Sequence, residues 1–235
     1  MRSGYKPSSS KCTHCVLIGD IRQSSKLADW NEVFKNLTKV LGKINQDFHE
    51  HTLVNFEPTV GDEFQGALKT PEKAFDIYLF LKTRLRVPFY LGVGLGDVEK
   101  PLPNDTGMRG TAFYYARDSL NLCKKNQVSI RIHSSEKPTL TDDILNTLLF
   151  IIELLENEWT PRRREVINYF RLHKDYSYEQ VGQHFHISKQ SVYKIVKSTH
   201  WKSLLSVEDL VKKLLKELSF NQSTQKGLLF KSNPI

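Results

Sequence analysis

Two β-rich segments meet at Gly61 and Asp62 in the stretch TLVNFEPTVGDEFQGAL (52–68). A glycine–acid turn between such segments predicts a β-hairpin. A short apolar run, CVLIGDI (15–21), precedes it and is typical of a buried strand. Between the two, residues 29–50 carry apolar side chains at helical spacing. The chain therefore begins with strand, helix and hairpin.

The pattern continues with a helix over 72–86, a strand over 88–98, a helix over 110–125 and a strand over 127–133. The order β-α-β-β-α-β-α-β predicts an α+β fold, a ferredoxin-like sheet with one extra unit and helices mostly on one face. The glycines in the 88–98 strand indicate close packing against a neighbouring element.

Beyond SSEKPTLT (134–141) the chain reads as helix throughout, so a second, all-α domain is expected. The predicted segments are a tail (1–13), the sheet domain (14–134), a connecting helix (142–157), a compact three-helix domain (159–202), and a C-terminal helix, placed at 207–218, with its tail (203–235).

The net charge of +8 is concentrated in one segment. Residues 1–158 are neutral overall, whereas residues 159–202 carry nine Lys/Arg against three Asp/Glu. A basic excess confined to one domain indicates a nucleic-acid contact. No apolar run is long enough to cross a membrane, no signal peptide is evident, and three cysteines suit a reducing compartment, so a cytoplasmic protein is expected.

Within the basic segment, three helices are predicted with a turn at His186–Ser188. Thr160 and Pro161 favour a helix start, and Ser188 is expected to cap the third helix. The core is expected to include Leu172 and Ile187. Glutamine can contact adenine with two hydrogen bonds, and lysines neutralise phosphates, so this third helix is interpreted as a DNA-recognition helix. Its predicted DNA-binding residues are Lys189, Gln190, Ser191, Tyr193, Lys194 and Lys197.

The first strand ends at Asp20, and this acid is expected to point at the same space as Asp62 if strand and hairpin are neighbours. Two nearby carboxylates repel each other unless a cation neutralises them, and Mg²⁺ prefers oxygen ligands and phosphates. After Asp20, backbone N–H groups near Ser24 and Ser25 are candidates for a phosphate cradle, with Lys26 adding charge.

GDI at the first strand, GDEF at the hairpin and AFYYAR (112–117) together carry a resemblance. They resemble the palm of class III nucleotidyl cyclases and of GGDEF diguanylate cyclases. The basic segment is similar to the helix-turn-helix of sigma-factor region four and of LuxR-type regulators. The combination GDIxxS, GDEFQG and GxAFYxAR with a C-terminal helix-turn-helix resembles the SatD family over about residues 14–200.

The resemblance implies that Asp20 and Asp62 are ligands of Mg²⁺ or Mn²⁺, assisted by the Ile21 carbonyl. Glu63 would be a supporting acid or an alternate ligand. Asp20, Asp62 and Arg117 would be the catalytic residues if the domain is active, with Arg117 neutralising phosphate charge.

The same resemblance implies that Gly61 lets a base or phosphate approach closely. In the aromatic run Phe113–Tyr115, Tyr114 is a candidate ligand contact. Val60 stands where the GGDEF motif has its first glycine. Tyr114 and Tyr115 precede Arg117 where class III cyclases have a VNxAAR signature.

Three hypotheses stay open. The first is a DNA-binding regulator whose cyclase-like domain binds a nucleotide with a divalent metal. The second is an active nucleotidyl cyclase or nucleotidyltransferase tethered by its helix-turn-helix. The third is a DNA-binding scaffold with a degenerate palm. A homodimer is expected, because two recognition helices would then face a palindromic site.

Overall fold

A computed structural model describes residues 13–99, 109–173 and 175–228. The first compact unit comprises the chain up to Asp143 and again from Lys212 onward, and the second is Ile144–Val211. Residues 1–12 of the predicted tail and residues 229–235 lie outside the described residues. Within the described ranges, no helix is long and apolar enough to cross a membrane.

The strands of the first unit lie close to their predicted positions. They are β1 His14–Ile21, β2 Thr52–Pro58, β3 Glu63–Leu68, β4 Phe89–Gly96 and β5 Ile130–His133. The helices are α1 Trp30–Asp47, α2 Ala74–Arg84, α3 Thr111–Asn126, α4 Leu140–Asn157, α5 Pro161–Leu172, α6 Tyr178–Phe185, α7 Lys189–Ser198 and α8 Trp201–Leu228.

The sheet has the order β2-β3-β1-β4-β5. The first four strands run antiparallel to their neighbours, and β5 is parallel to β4. The hairpin prediction is confirmed, since β2 pairs with β3 across the Gly61–Asp62 turn. The result is an α+β fold around a mixed five-stranded sheet, with β1 at its centre.

Helices cover both faces of the sheet, which corrects the expectation that they lie mostly on one. On one face, Val16 and Ile18 of β1 share a buried cluster with residues of α3. Successive strand residues point to opposite faces of the sheet. On the other face, Phe64 packs against Phe89, and Phe89 packs against Tyr78 of α2.

Glycines on β4 allow α3 to lie this close. A Cβ built on Gly94 would overlap the Ala112 carbonyl oxygen and the Ala116 amide nitrogen, and Gly92 is in the same position against Ala116 and Leu120. The prediction of close packing at these glycines is confirmed.

In the second unit, α5 begins at Pro161, and the turn between α6 and α7 lies at His186–Ser188, as predicted. Thr160 caps α5 and Ser188 caps α7 through their side chains, as expected. Leu172 was expected in the core but is 39% exposed, because α5 ends there and Phe170 is its last buried residue.

The C-terminal helix is longer than predicted, since α8 begins at Trp201 rather than at residue 207. Two residues, Thr199 and His200, separate it from the end of α7, and His200 has a left-handed backbone. Trp201, Leu204 and Val211 are buried at helical spacing, so the first turns of α8 belong to the core of the second unit.

Candidate functional site

Strand register brings two acids together at one end of the sheet. Asp20, at the end of β1, is the Cα partner of Glu63 at the start of β3. Directly opposed residues of an antiparallel pair point to the same face, so both carboxylates lie on the face covered by α3. Like charges in this position are destabilising unless a cation separates them.

Asp62 joins this pair from the hairpin turn. The Ile21 N–H donates to the Asp62 carbonyl oxygen (3.2 Å), which attaches the turn to the end of β1. The Ser24 hydroxyl donates to Asp62 Oδ2 (2.5 Å). Gly61 has φ of +74° and an exposed position, consistent with its expected role in a tight, accessible turn.

Two cations from α3 face the acids. Arg117 Nη1 donates to both oxygens of Glu63 (2.7 and 2.8 Å). Lys124 Nζ lies 2.6 Å from Asp20 Oδ2 and 3.8 Å from Glu63 Oε1. Sequence reasoning expected Arg117 at a phosphate and did not select Lys124. The two are seven residues apart, about two helical turns, which is a signal that both lie on one face of α3.

Burial dominates the electrostatics of Asp20, whose side chain is only 12% exposed. Desolvation raises the pKa of Asp20, the hydrogen bond and charge of Lys124 oppose that rise, and the nearby charges of Asp62 and Glu63 add to it. Three carboxylates against two cations leave a net negative site, which favours a further positive charge.

The donor set fits a hard divalent cation in part. Within the described part of the chain, no three His, Cys, Asp or Glu side chains are already arranged to hold a metal ion. Asp20 and Asp62 nevertheless each accept a side-chain hydrogen bond on Oδ2, from Lys124 and Ser24, which leaves Oδ1 of each carboxylate as a candidate oxygen ligand.

The remaining predicted residues are Ser25 and Lys26, which follow β1, and Tyr114 on α3. Ser25 and Lys26 are exposed in the short helical turn after β1. The Lys26 N–H donates to the Gln23 carbonyl oxygen (2.8 Å), so this amide is not free to bind phosphate. Tyr114 is 63% exposed on α3, where its ring meets Phe113 edge-on.

The second predicted site, on α7, presents a basic polar surface. Lys189, Gln190, Tyr193, Lys194 and Lys197 are exposed, as expected. Ser191 differs: it is half-buried, and its hydroxyl shares a 2.9 Å hydrogen bond with the Ser188 hydroxyl at the helix start. Ser191 therefore supports the cap of α7, and its hydroxyl is already engaged in a hydrogen bond.

The turn before α7 fixes its angle to α6. His186 has a left-handed backbone, and the Ile187 N–H donates to the Gly182 carbonyl oxygen (2.9 Å). A Cβ on Gly182 would lie 2.6 Å from the Ile187 carbonyl oxygen, which is too close for an unstrained contact. Ile187, expected to plug the core, is half-buried.

A family model matches residues 14–215, and its description is the SatD family. The chain belongs to the SatD family. A search of curated proteins found no match.

Among solved structures, the chain is similar to a bacterial light-regulated adenylyl cyclase, at 15% identity and a TM-score of 0.39, over 52% of this chain and 76% of the other. It is also similar to the Regulator of Polyketide Synthase Expression from Bifidobacterium adolescentis, at 13% identity and a TM-score of 0.24, over 91% and 87% of the two chains. Both likenesses are distant.

Proposed function

We propose that this SatD-family protein is a DNA-binding regulator whose sheet domain binds a nucleotide together with Mg²⁺ or Mn²⁺. The observation that carries the proposal is the exposed face of α7. Lys189, Lys194 and Lys197 project from it, and no Asp or Glu occurs anywhere between Glu179 and Glu208. A helix with such a face, capped and held by two further helices, suits insertion into the major groove.

On this face, the two kinds of side chain have different tasks. Gln190 and Tyr193 would approach base edges, and Gln has the geometry to recognise adenine. Lys194 and Lys197 would contact phosphates, which contribute affinity that depends on salt but not on sequence. Ser191 would act through the helix cap.

The nucleotide proposal is supported by the cluster at the end of β1. Asp20 and Asp62 would hold the divalent ion through their Oδ1 atoms, with Ile21 and Glu63 beside them. When bound, such an ion neutralises carboxylate and phosphate charge together. Arg117 is already oriented by Glu63, and Gly61 leaves room for a ligand beside the hairpin turn.

The DNA proposal is tested by fluorescence anisotropy of a labelled duplex over a range of salt concentrations. We expect Lys194→Ala and Lys197→Ala each to weaken binding and to reduce the slope of log K against log salt by about 0.9. Lys35→Ala and Lys39→Ala, on exposed positions of α1, remove the same charges and are expected to leave the slope unchanged. Equal slopes for both pairs would refute α7 as the DNA-contacting helix.

The nucleotide proposal is tested by thermal shift with the four ribonucleoside triphosphates and Mg²⁺ or Mn²⁺, with Asp20→Ala as control. Stabilisation by one triphosphate, lost in Asp20→Ala, is the expected result. Mass spectrometry of the same mixtures detects any cyclic or oligomeric product, which would favour the active nucleotidyltransferase instead. If no triphosphate stabilises the protein, the nucleotide proposal is refuted and the hypothesis of a DNA-binding scaffold with a degenerate palm is favoured.

A homodimer is part of the proposal, because two copies of α7 would match a palindromic operator. Light scattering at micromolar concentration is the measurement, and a monomer there would contradict it.

A further inference from the structure

The ammonium group of Lys124 lies where a cation would neutralise the acids of the sheet site. Asp20 and Glu63 are opposed across β1 and β3, and Lys124 Nζ is 2.6 Å from Asp20 Oδ2 and 3.8 Å from Glu63 Oε1. Arg117 is paired with Glu63, and within the described residues the cation paired with Asp20 is Lys124.

The backbone of Lys124 is fixed by its surroundings. The Gln127 amide donates to the Lys124 carbonyl oxygen (2.7 Å), and the Tyr90 hydroxyl donates to Gln127 Oε1 (2.8 Å). Gly92 and Gly94 pack α3 against β4 as far as Leu120, one turn before Lys124, so we expect the ammonium to be displaced by rotation of the Lys124 side chain. That side chain is 39% exposed, so solvent is available for the ammonium when it leaves Asp20.

We propose that Lys124 is a tethered competitor of the divalent cation: it occupies the cation position beside Asp20 and withdraws when the ion binds. This inference rests on the metal site of the proposed function. An ammonium and a divalent ion on the same carboxylate repel each other, so the ion alone binds weakly. A triphosphate strengthens ion binding, because its oxygens accept the displaced ammonium.

The test is Mn²⁺ alone, titrated into the full chain and followed by the electron paramagnetic resonance signal of the free ion. Lys124→Met removes the competing charge and is expected to tighten Mn²⁺ binding by about tenfold or more. Lys124→Gln, which keeps a hydrogen-bonding group without the charge, is expected to behave in the same way. Lys125→Met, one position along the same helix and exposed, changes net charge equally and is expected to stay within about twofold of wild type. Circular dichroism confirms that each variant is folded.

The outcomes separate the competitor from the metal site itself. If wild type and Lys124→Met bind Mn²⁺ with the same measurable affinity, the metal site stands and the competition is refuted. Weaker binding by both neutral variants refutes it as well, since Lys124 would then assist the ion. If no variant binds Mn²⁺ at millimolar concentration, the metal part of the proposed function and this inference both fail. If Lys125→Met tightens Mn²⁺ binding as much as Lys124→Met does, the effect comes from net charge and the proposed role of Lys124 is refuted.

Discussion

Replacing Arg171 by Met is expected to destabilise the second unit strongly. The Arg171 side chain is 4% exposed and pairs with Glu156 of α4 and Glu208 of α8, which are 3% and 2% exposed. Its guanidinium also lies 5.6 Å and 5.4 Å from the ring centres of Trp159 and Trp201. Arg171 therefore connects three helices through buried charge.

The expected cost follows from desolvation. Removing one partner of a buried ion pair leaves a buried charge without its counterion and costs about 3–5 kcal/mol. Arg171→Met takes the shared cation from two buried carboxylates, so we expect a loss at the upper end of that range.

Urea unfolding at pH 7, followed by tryptophan fluorescence, measures this loss because two tryptophans flank Arg171. Lys43→Met is the control: its pair with Asp47 has side chains 51% and 37% exposed, and an exposed pair contributes about 0–1 kcal/mol. If the two variants lose the same free energy of unfolding, the buried-triad argument is refuted.

Two further predictions concern the sheet unit. Gly94→Ala should lower the free energy of unfolding by about 1–3 kcal/mol, because the new methyl group meets the backbone of α3. Gly42→Ala is the control: this exposed glycine of α1 has no atom within 4 Å of an added Cβ, so the change should stabilise the protein by about 0.5–1 kcal/mol. Urea unfolding of both variants measures the two effects. Burial raises the pKa of Asp20 in the folded protein. The Asp20 carboxyl therefore contributes to stability below its ordinary pKa of about 3.9, and this contribution is lost as pH rises through the raised pKa. Relative to Asp20→Asn, wild type should therefore lose stability as pH rises above about 4, and a wild type that keeps or gains stability relative to Asp20→Asn as pH rises would contradict the assignment.

Local patterns in the sequence predicted most elements and their order. The turns at Gly61–Asp62 and His186–Ser188 and the caps Thr160 and Ser188 depend on neighbours a few residues apart, so they are readable from the chain. The same holds for Asp20 at the end of an apolar strand, because strand and helix patterns repeat over short distances.

The composition of the acid cluster was decided by tertiary structure. Lys124 reaches Asp20 across 104 residues, and its position in a Lys-Lys pair near a helix end gave no local sign of a site. Arg117 stays a predicted phosphate contact, and the register that opposes Asp20 to Glu63 also gives its guanidinium a carboxylate partner that no local pattern shows.

The same division explains the two faces of the sheet and the buried triad. The sequence determined that α3 and α5 form and which of their side chains are apolar. It did not determine that α3 covers the face opposite α2, or that Arg171 meets acids 15 residues before it and 37 after it. Such contacts depend on how the elements pack in three dimensions. The low dielectric of the protein interior means that each buried charge requires a partner, and no short-range sequence pattern specifies which residue that partner is.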